Sequence, residues 1–214
     1  MKVGKSAMLL YIVTDRTWLG ENSLVEQVEQ TIKAGATFIQ LREKDLSFDE
    51  YVKIAKDVKT ITDKYKIPFV INDNVDVALA VCADGIHVGQ SDMQAQNVRV
   101  LIGENKILGV SAQTVEQAIK AEECGADYLG VGAVFSTSTK TDANNISIDT
   151  LRDICSAVSI PVVAIGGISK NNIFELTGSG VDGVAVVSAI FAQHDITSAT
   201  TELLELSHKM VQTI

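Results

Sequence analysis

Eight short apolar runs, separated by longer segments of helical period, constrain the fold of this 214-residue chain more than any single motif. The runs are rich in β-branched residues and read as nearly continuous hydrophobic stretches. That pattern is typical of parallel strands that are covered on both faces. The predicted strands span residues 9–13, 38–41, 69–71, 85–88, 107–110, 128–131, 162–165 and 183–187.

The intervening segments predict helices, at residues 23–34, 48–64, 115–124, 148–158, 171–178 and 198–211. Eight strand–helix units in a chain of this length favour a (β/α)8 TIM barrel, which needs roughly 200 residues or more. A doubly wound open sheet is the alternative, but the first strand is not followed by the GxGxxG string of that fold. Because no linker, low-complexity stretch or charge block divides the chain, we expect one barrel domain over residues 1–214.

A recurring glycine marks the passage from helix to strand in four of these units. We expect each of these glycines to end its helix in the left-handed conformation, with a strand following at once. They are Gly35, Gly85, Gly125 and Gly180.

The charge balance argues against a nucleic-acid-binding function. The chain has 18 basic and 27 acidic side chains, a net charge of −9, whereas a nucleic-acid surface needs clustered Lys and Arg. A local cluster can still bind a small anion, because net charge does not describe the field of a site. No run approaches the ~18 apolar residues of a spanning helix, and the three cysteines form no CxxC pair. We therefore expect a cytoplasmic protein without a membrane or nucleic-acid partner.

In such a barrel the active site lies at the C-terminal ends of the strands. Asp73 and Asp92 follow neighbouring strands there, so their carboxylates are candidates to share one hard cation. The alternative is that each aspartate merely caps the helix that follows. His87 lies inside an apolar run, which favours a hydrogen-bonded structural residue over a ligand.

Other strand ends carry positive charge or backbone amides. Arg42, Lys44 and Lys140 are basic, and the segments 166–167 and 187–189 offer N–H groups at predicted helix starts, an arrangement that binds anions. Taken singly, these features are also typical of turns, mobile loops and solvated lysines. Together they indicate a metal-bound diphosphate on one side of the site and a simple phosphate on the other. Because no nucleophile is evident, group transfer is favoured over hydrolysis.

Nine strings carry a specific resemblance across nearly the whole chain. They resemble, in order, the motifs of the thiamine-phosphate synthase (thiamine-phosphate pyrophosphorylase) family. The strings are YIVTD at 11–15, QLREK at 40–44, IND at 71–73, GIHVGQSD at 85–92, LGVS at 108–111, GVGAVF at 130–135, TSTK at 137–140, AIGGI at 164–168 and VSAI at 187–190.

The resemblance implies a reaction and a cofactor. A hydroxymethylpyrimidine diphosphate and a thiazole phosphate, carboxylated for many members, would give thiamine phosphate and diphosphate. Diphosphate would leave first, and the thiazole nitrogen would capture the resulting pyrimidine-methyl cation. One Mg²⁺ per subunit would assist, and the oligomeric state is left open.

The resemblance also implies roles for individual residues. Asp73 and Asp92 would hold Mg²⁺, and Arg42, Lys44 and Lys140 would neutralise the departing diphosphate. The pyrimidine side would be oriented by Gln40, Asn72 and Ser111, of which Ser111 joins the three basic residues in the catalytic set. The thiazole phosphate would be held by Thr137, Thr139, Gly167, Val187 and Ser188. Leu41, Glu43 and Ser138 complete the substrate-binding set, and the polar loop 136–145 would act as a lid.

One position departs from the family pattern. Gln113 stands where many relatives, including sister thiazole tautomerases, carry His. A tautomerase that used this His as its acid–base would be disabled here. Gln113 therefore disfavours the tautomerase hypothesis. The alternatives to a synthase are a thiazole-phosphate tautomerase or other phosphate-binding barrel enzyme such as an isomerase, and a non-catalytic barrel that binds thiazole or thiamine phosphate.

Overall fold

Eight parallel strands follow one another in chain order around a closed barrel. The structure is a computed structural model that describes residues 3–20, 22–90, 95–136 and 145–212. Closure is direct, since the first strand pairs with the last through Leu10 and Val184; the open-sheet alternative is therefore wrong. The strands are β1 Leu10–Val13, β2 Phe38–Leu41, β3 Phe69–Asn72, β4 Gly85–Val88, β5 Ile107–Ala112, β6 Tyr128–Val131, β7 Val162–Ile165 and β8 Gly183–Val186.

Helices alternate with the strands along the chain. Two of them, α3 and α4, were not predicted from the sequence, and of α7 only the start was predicted. The predicted helix 171–178 is wrong, because that segment contains only a 3-10 turn, Ile173–Leu176. The helices are α1 Leu24–Lys33, α2 Phe48–Tyr65, α3 Val75–Ala80, α4 Ala95–Ile102, α5 Val115–Glu123, α6 Ile148–Ala157, α7 Ser188–Phe191 and α8 Ile196–Gln212.

Side chains set several helix starts. Ser23 and Ser47 each form a capping box with the glutamate three residues later, which satisfies backbone donors at both ends of the pair. Of the four glycines predicted to be left-handed, Gly35, Gly125 and Gly180 have positive φ. Gly85 does not; Cys82 takes the left-handed position in that unit instead.

Gly85 has a different role from the one predicted. It lies inside β4, and a Cβ atom at that position would lie 2.0 Å from the carbonyl oxygen of Ile107 on the neighbouring strand. The glycine is therefore required by the close approach of two strands, rather than by a turn.

The apolar side chains form two layers. The larger layer packs between the strands and the helices. The smaller one fills the barrel interior, with residues from seven strands and from the 3-10 turn before β1: Met8, Tyr11, Val13, Phe38, Val70, Ile107, Tyr128, Val163 and Ala185. Because side chains alternate between the two faces of a strand, seven of the eight strands contribute to both layers, and β4 contributes apolar side chains only to the larger one. Within the described ranges, none of the helices has the length and apolarity that a membrane crossing requires.

Candidate active site

The described part of the chain brings nine of the predicted site residues to the C-terminal ends of the strands or just beyond them. They are Gln40, Arg42, Lys44, Asn72, Asp73, Ser111, Gly167, Val187 and Ser188. Five other predicted residues lie outside the described residues, namely Asp92, Thr137, Ser138, Thr139 and Lys140.

The end of β2 has an inner and an outer face. Gln40 is only 4% exposed and its amide nitrogen lies 2.5 Å from the hydroxyl of Tyr11 in the barrel interior. Leu41, the next residue, is fully buried in the outer layer. Alternation puts Arg42 on the same face as Gln40, and the buried Thr14 hydroxyl accepts a hydrogen bond from the Arg42 backbone N–H at 3.0 Å. Thr14 thus extends the contact between β1 and β2 beyond their last paired residues, Val13 and Gln40.

Glu43 pairs with Arg16, which belongs to the 3-10 turn after β1. Its carboxylate lies 3.2 Å from Nε of Arg16, and its side chain is 6% exposed. Burial raises the pKa of Glu43, while the nearby Arg16 charge opposes that rise. That Leu41 and Glu43 bind substrate stays a prediction. The Leu41 side chain is buried among the residues of the outer layer, whereas that of Glu43 contacts Arg16 in the loop after β1.

The end of β3 carries an amide and a carboxylate in direct contact. The Asn72 side chain donates a hydrogen bond of 2.6 Å to Asp73, which is exposed. Asp73 has a φ of 61°, and its N–H donates to the carbonyl oxygen of His87 at 2.8 Å. From α2, the hydroxyl of Tyr51 reaches the carbonyl oxygens of Leu41 (2.9 Å) and Asn72 (3.4 Å). Tyr51, which the sequence analysis missed, therefore ties the ends of β2 and β3 together.

A buried hydrogen-bonded chain crosses the barrel beneath the mouth. Gln40 contacts the Tyr11 hydroxyl, which lies 2.7 Å from that of Tyr128. The Tyr128 hydroxyl lies 3.0 Å from Nδ1 of His87, and Nε2 of His87 lies 3.0 Å from Oγ of Ser111. The prediction of a hydrogen-bonded His87 is confirmed. The chain also joins two residues predicted to orient the same substrate, Gln40 and Ser111.

Two strand glycines leave room for this chain. A Cβ atom at Gly109 would lie 2.2 Å from a ring carbon of Tyr128. A Cβ atom at Gly130 would lie 3.0 Å from Cε1 of His87. The ring positions in the chain thus depend on the absence of side chains on the adjacent strands.

The turn after β7 contains the predicted phosphate-binding glycine. Gly166 and Gly167 both have positive φ, and a Cβ atom at Gly167 would lie 2.4 Å from the carbonyl oxygen of Ser136. The Asn172 side chain donates to the Gly167 carbonyl oxygen (3.0 Å) and accepts from the Ser169 N–H (2.8 Å). These contacts tie the turn after β7 to the start of the segment 171–178, in which only a 3-10 turn forms.

The predicted helix start after β8 is present but short. Val187 precedes α7, whose first residue is Ser188. The first amides of a helix have no partner within it, so this turn can offer N–H groups to an anion.

The side chain and the backbone of Gln113 are both held by hydrogen bonds within the protein. Its Nε2 donates to the Gly132 carbonyl oxygen at 3.1 Å, and its backbone N–H donates to the side chain of Gln117 at 2.8 Å. An uncharged amide held in this way cannot transfer protons as an imidazole does.

The polar loop predicted as a lid is described only at its ends. The Asn145 amide donates to the Ser136 hydroxyl at 3.1 Å. These two residues flank the segment 137–144, which lies outside the described residues.

Of the two aspartates predicted to hold a cation, the described residues include Asp73 but not Asp92. Within them, no group of three or more His, Cys, Asp and Glu side chains is close enough to bind a metal. Asp73 and Asn72 nevertheless offer carboxylate and amide oxygens, the donors that hard cations prefer.

Comparisons with known proteins agree on one family. The model of the thiamine monophosphate synthase family matches residues 10–190. A thiamine-phosphate synthase of Clostridium tetani is 55% identical over 194 residues, covering 91% of this chain and 93% of the relative. One from Ruminiclostridium cellulolyticum is 57% identical over 197 residues, covering 92% and 94%.

A solved structure gives the same answer. Thiamine phosphate pyrophosphorylase from Pyrococcus furiosus superimposes with a TM-score of 0.89 and 42% identity, covering 97% of this chain and 98% of the other. The matched residues include all eight barrel strands in full and the strand ends described above. The chain therefore belongs to the thiamine monophosphate synthase family.

Proposed function

We propose that this chain is a transferase that joins a pyrimidine-methyl diphosphate to a thiazole ethyl phosphate, giving thiamine phosphate and diphosphate. One observation carries the proposal beyond family membership: β2 and β3 are paired neighbours through Leu41 and Ile71, so the basic Arg42 and Lys44 follow one strand while Asn72 and Asp73 end the next. Positive charge and oxygen donors for a cation thus lie at one edge of the barrel mouth, as a metal-bound diphosphate requires.

In this proposal the protein binds and orients both substrates rather than attacking either of them. Arg42 and Lys44, with Lys140, stabilise the negative charge that grows on the departing diphosphate. Gln40, Asn72 and Ser111 hold the pyrimidine so that its methylene carbon faces the thiazole nitrogen. The carbon–oxygen bond to diphosphate breaks first, and the nitrogen lone pair then forms the new carbon–nitrogen bond.

Mg²⁺, when bound, would neutralise part of the diphosphate charge. Asp73 and Asp92 are the residues proposed to hold it, one ion per subunit. The chemistry of the donor set fits, because a carboxylate at the end of β3 is a hard oxygen ligand and Asp73 is exposed at the barrel mouth.

The remaining assignments complete the proposal. Backbone N–H groups of Gly167, Val187 and Ser188, with Thr137 and Thr139, hold the thiazole phosphate. Leu41, Glu43 and Ser138 complete the substrate-binding set. The loop 136–145 closes over both substrates and keeps water from the cation. We further propose a single domain that acts in the cytoplasm on small molecules, without a nucleic-acid or membrane partner.

The deciding experiment supplies purified protein with both substrates and Mg²⁺ and measures thiamine phosphate and diphosphate together. We expect equal amounts of the two products, and loss of both when a chelator removes the metal. Absence of product at high enzyme concentration would overturn the proposal. Turnover of the thiazole phosphate alone, without Mg²⁺, would instead identify a tautomerase. Binding of thiazole or thiamine phosphate without turnover would identify a non-catalytic binding protein.

A further inference from the structure

The proposed reaction uses Gln40 and Ser111 but gives no role to the three aromatic side chains that connect them. Tyr11, Tyr128 and His87 are buried in the barrel interior. Their polar atoms form an unbroken series of contacts of 2.5 to 3.0 Å from one strand end to the other. Each tyrosine has one hydroxyl hydrogen, so the direction of donation along the series can be derived by accounting for each hydrogen.

Both tyrosines keep their hydrogens under ordinary conditions. Burial is the main cause that raises the pKa of Tyr11 and of Tyr128 above the usual value of 10.0. Each hydroxyl therefore donates one hydrogen bond and accepts others.

The amide of Gln40 sets the direction at one end. With its nitrogen assigned toward Tyr11, Gln40 donates to the Tyr11 oxygen. The Tyr11 hydrogen then goes to the oxygen of Tyr128, its other hydrogen-bonding neighbour among the described residues. The Tyr128 hydrogen in turn goes to Nδ1 of His87. Nδ1 is thus an acceptor, and the His87 hydrogen is on Nε2, from which it is donated to Oγ of Ser111.

The opposite direction leaves a defect. If Nδ1 of His87 carried a hydrogen, Tyr128 would accept it and donate its own hydrogen to Tyr11. With the Gln40 nitrogen facing Tyr11, as the structure has it, the Tyr11 oxygen would then accept twice, and its hydrogen would have no acceptor among its described neighbours. A buried donor without a partner loses its hydration without compensation. A doubly protonated His87 meets the same objection.

We propose that Tyr11, Tyr128 and His87 are positioning residues that hold Ser111 as a hydrogen-bond donor to the substrate. His87 occupies the Ser111 oxygen, so the hydroxyl hydrogen is directed to an acceptor atom of the bound substrate, a pyrimidine ring nitrogen or a diphosphate oxygen. Because Gln40 starts the series and Ser111 ends it, both orienting residues share one rigid support. Gly109 and Gly130, which leave space for the rings of Tyr128 and His87, are an independent feature that the same arrangement requires. This inference rests on the proposed function for the identity of the substrate.

The hydrogen on His87 can be observed without any substrate. The chain has three histidines, so long-range ¹H–¹⁵N spectra of the imidazoles are simple, and the spectrum of His87→Gln assigns the His87 signals. We expect a hydrogen on Nε2 and none on Nδ1. A hydrogen on Nδ1, alone or with one on Nε2, would overturn the inference while leaving the proposed function intact. Conversely, a wild-type protein that makes no thiamine phosphate would overturn the proposed function whatever the spectrum.

A double-mutant cycle tests whether Tyr128 acts through Ser111. Tyr128→Phe keeps the ring and removes the hydroxyl, and we expect kcat to fall about tenfold, the effect of one hydrogen bond. In the Ser111→Ala background the same change should leave kcat nearly unaltered, because the two residues act as one unit. An equal fall in both backgrounds would overturn the positioning role.

The matched control is Tyr65→Phe, which removes a hydroxyl bound to Glu29 away from the barrel interior and should leave kcat unchanged. If Tyr128→Phe fails to fold, the wild-type imidazole spectrum still decides the inference.

Discussion

Nε of Arg16 lies 3.2 Å from the carboxylate of Glu43, whose side chain is nearly buried. Arg16 belongs to the 3-10 turn after β1, and Glu43 follows β2. The pair therefore fastens the first two strand-end loops to each other. Since Arg42 and Lys44 flank Glu43, its attachment fixes the backbone from which both basic side chains extend.

Glu43→Gln should change the pH dependence of stability in a defined direction. Burial raises the pKa of Glu43 above its ordinary value of 4.5. Between 4.5 and the raised pKa the folded state binds more protons at this site than the unfolded state, so this group lowers the free energy of unfolding as pH rises through that window. The glutamine variant lacks this titration. Urea denaturation at a series of pH values should show the wild type losing stability relative to the variant across the window, and a constant difference above it. A difference that grows in favour of the wild type would contradict this account.

Gly109→Ala should destabilise the barrel, because the added Cβ would lie 2.2 Å from the Tyr128 ring. We expect a loss of about 1–3 kcal/mol in the free energy of unfolding, as for other overpacked cores, measured by denaturant titration. Gly4→Ala is the matched control, since the nearest atom to its added Cβ lies at 3.9 Å. Equal stability of the two variants would show that the Tyr128 ring is not held where the structure has it.

The barrel itself could be predicted because its strands are apolar on both faces. The same property hides which side chains face inward. Within QLREK, alternation separates Gln40 from Leu41 and Glu43, yet the continuous apolar run before it gives no sign of which set lines the interior. The segment was therefore assigned to the site as a whole, although its side chains have different surroundings: Gln40 contacts Tyr11 in the interior, whereas Glu43 contacts Arg16 in the loop after β1.

Other features depend on contacts between residues distant in sequence. Tyr11 and Tyr128 are separated by 117 positions and meet only when the barrel closes. The helix α3 has six residues, which is too short for a periodic pattern, and its one local signal is the capping Asn74. The segment expected to form a helix after β7 contains only a 3-10 turn, and its Asn172 is bound to the preceding turn by side-chain contacts that periodicity does not reveal.

Arg99→Lys should reduce stability without changing catalysis. The guanidinium donates to the carbonyl oxygens of Gly103, Gly125 and Lys106 and pairs with Asp127 at 2.7 Å. An ammonium group cannot reproduce this planar set of bonds, so we expect a loss of about 2 kcal/mol with kcat unchanged.

The control for Arg99 is Arg152→Lys, where an exposed pair with Asp149 should contribute less than about 1 kcal/mol. Thermal or denaturant unfolding of both variants provides the comparison. A similar small loss for both would mean that the Arg99 contacts add little.

Asp73→Asn should weaken the response to Mg²⁺ while preserving the fold. Asparagine tolerates the left-handed backbone that Asp73 adopts at φ 61°, so the change removes charge without forcing the turn to rearrange. Affinity for hard cations follows the number of charged oxygen ligands, and we expect the Mg²⁺ concentration for half-maximal rate to rise about tenfold or more. Asp76→Asn changes an exposed residue in the first turn of α3 and is the control. We expect it to reach half-maximal rate at the same Mg²⁺ concentration as the wild type. Initial rates of diphosphate release across a Mg²⁺ series measure the effect, and an Asp73→Asn curve that overlays the control would remove Asp73 from the metal site.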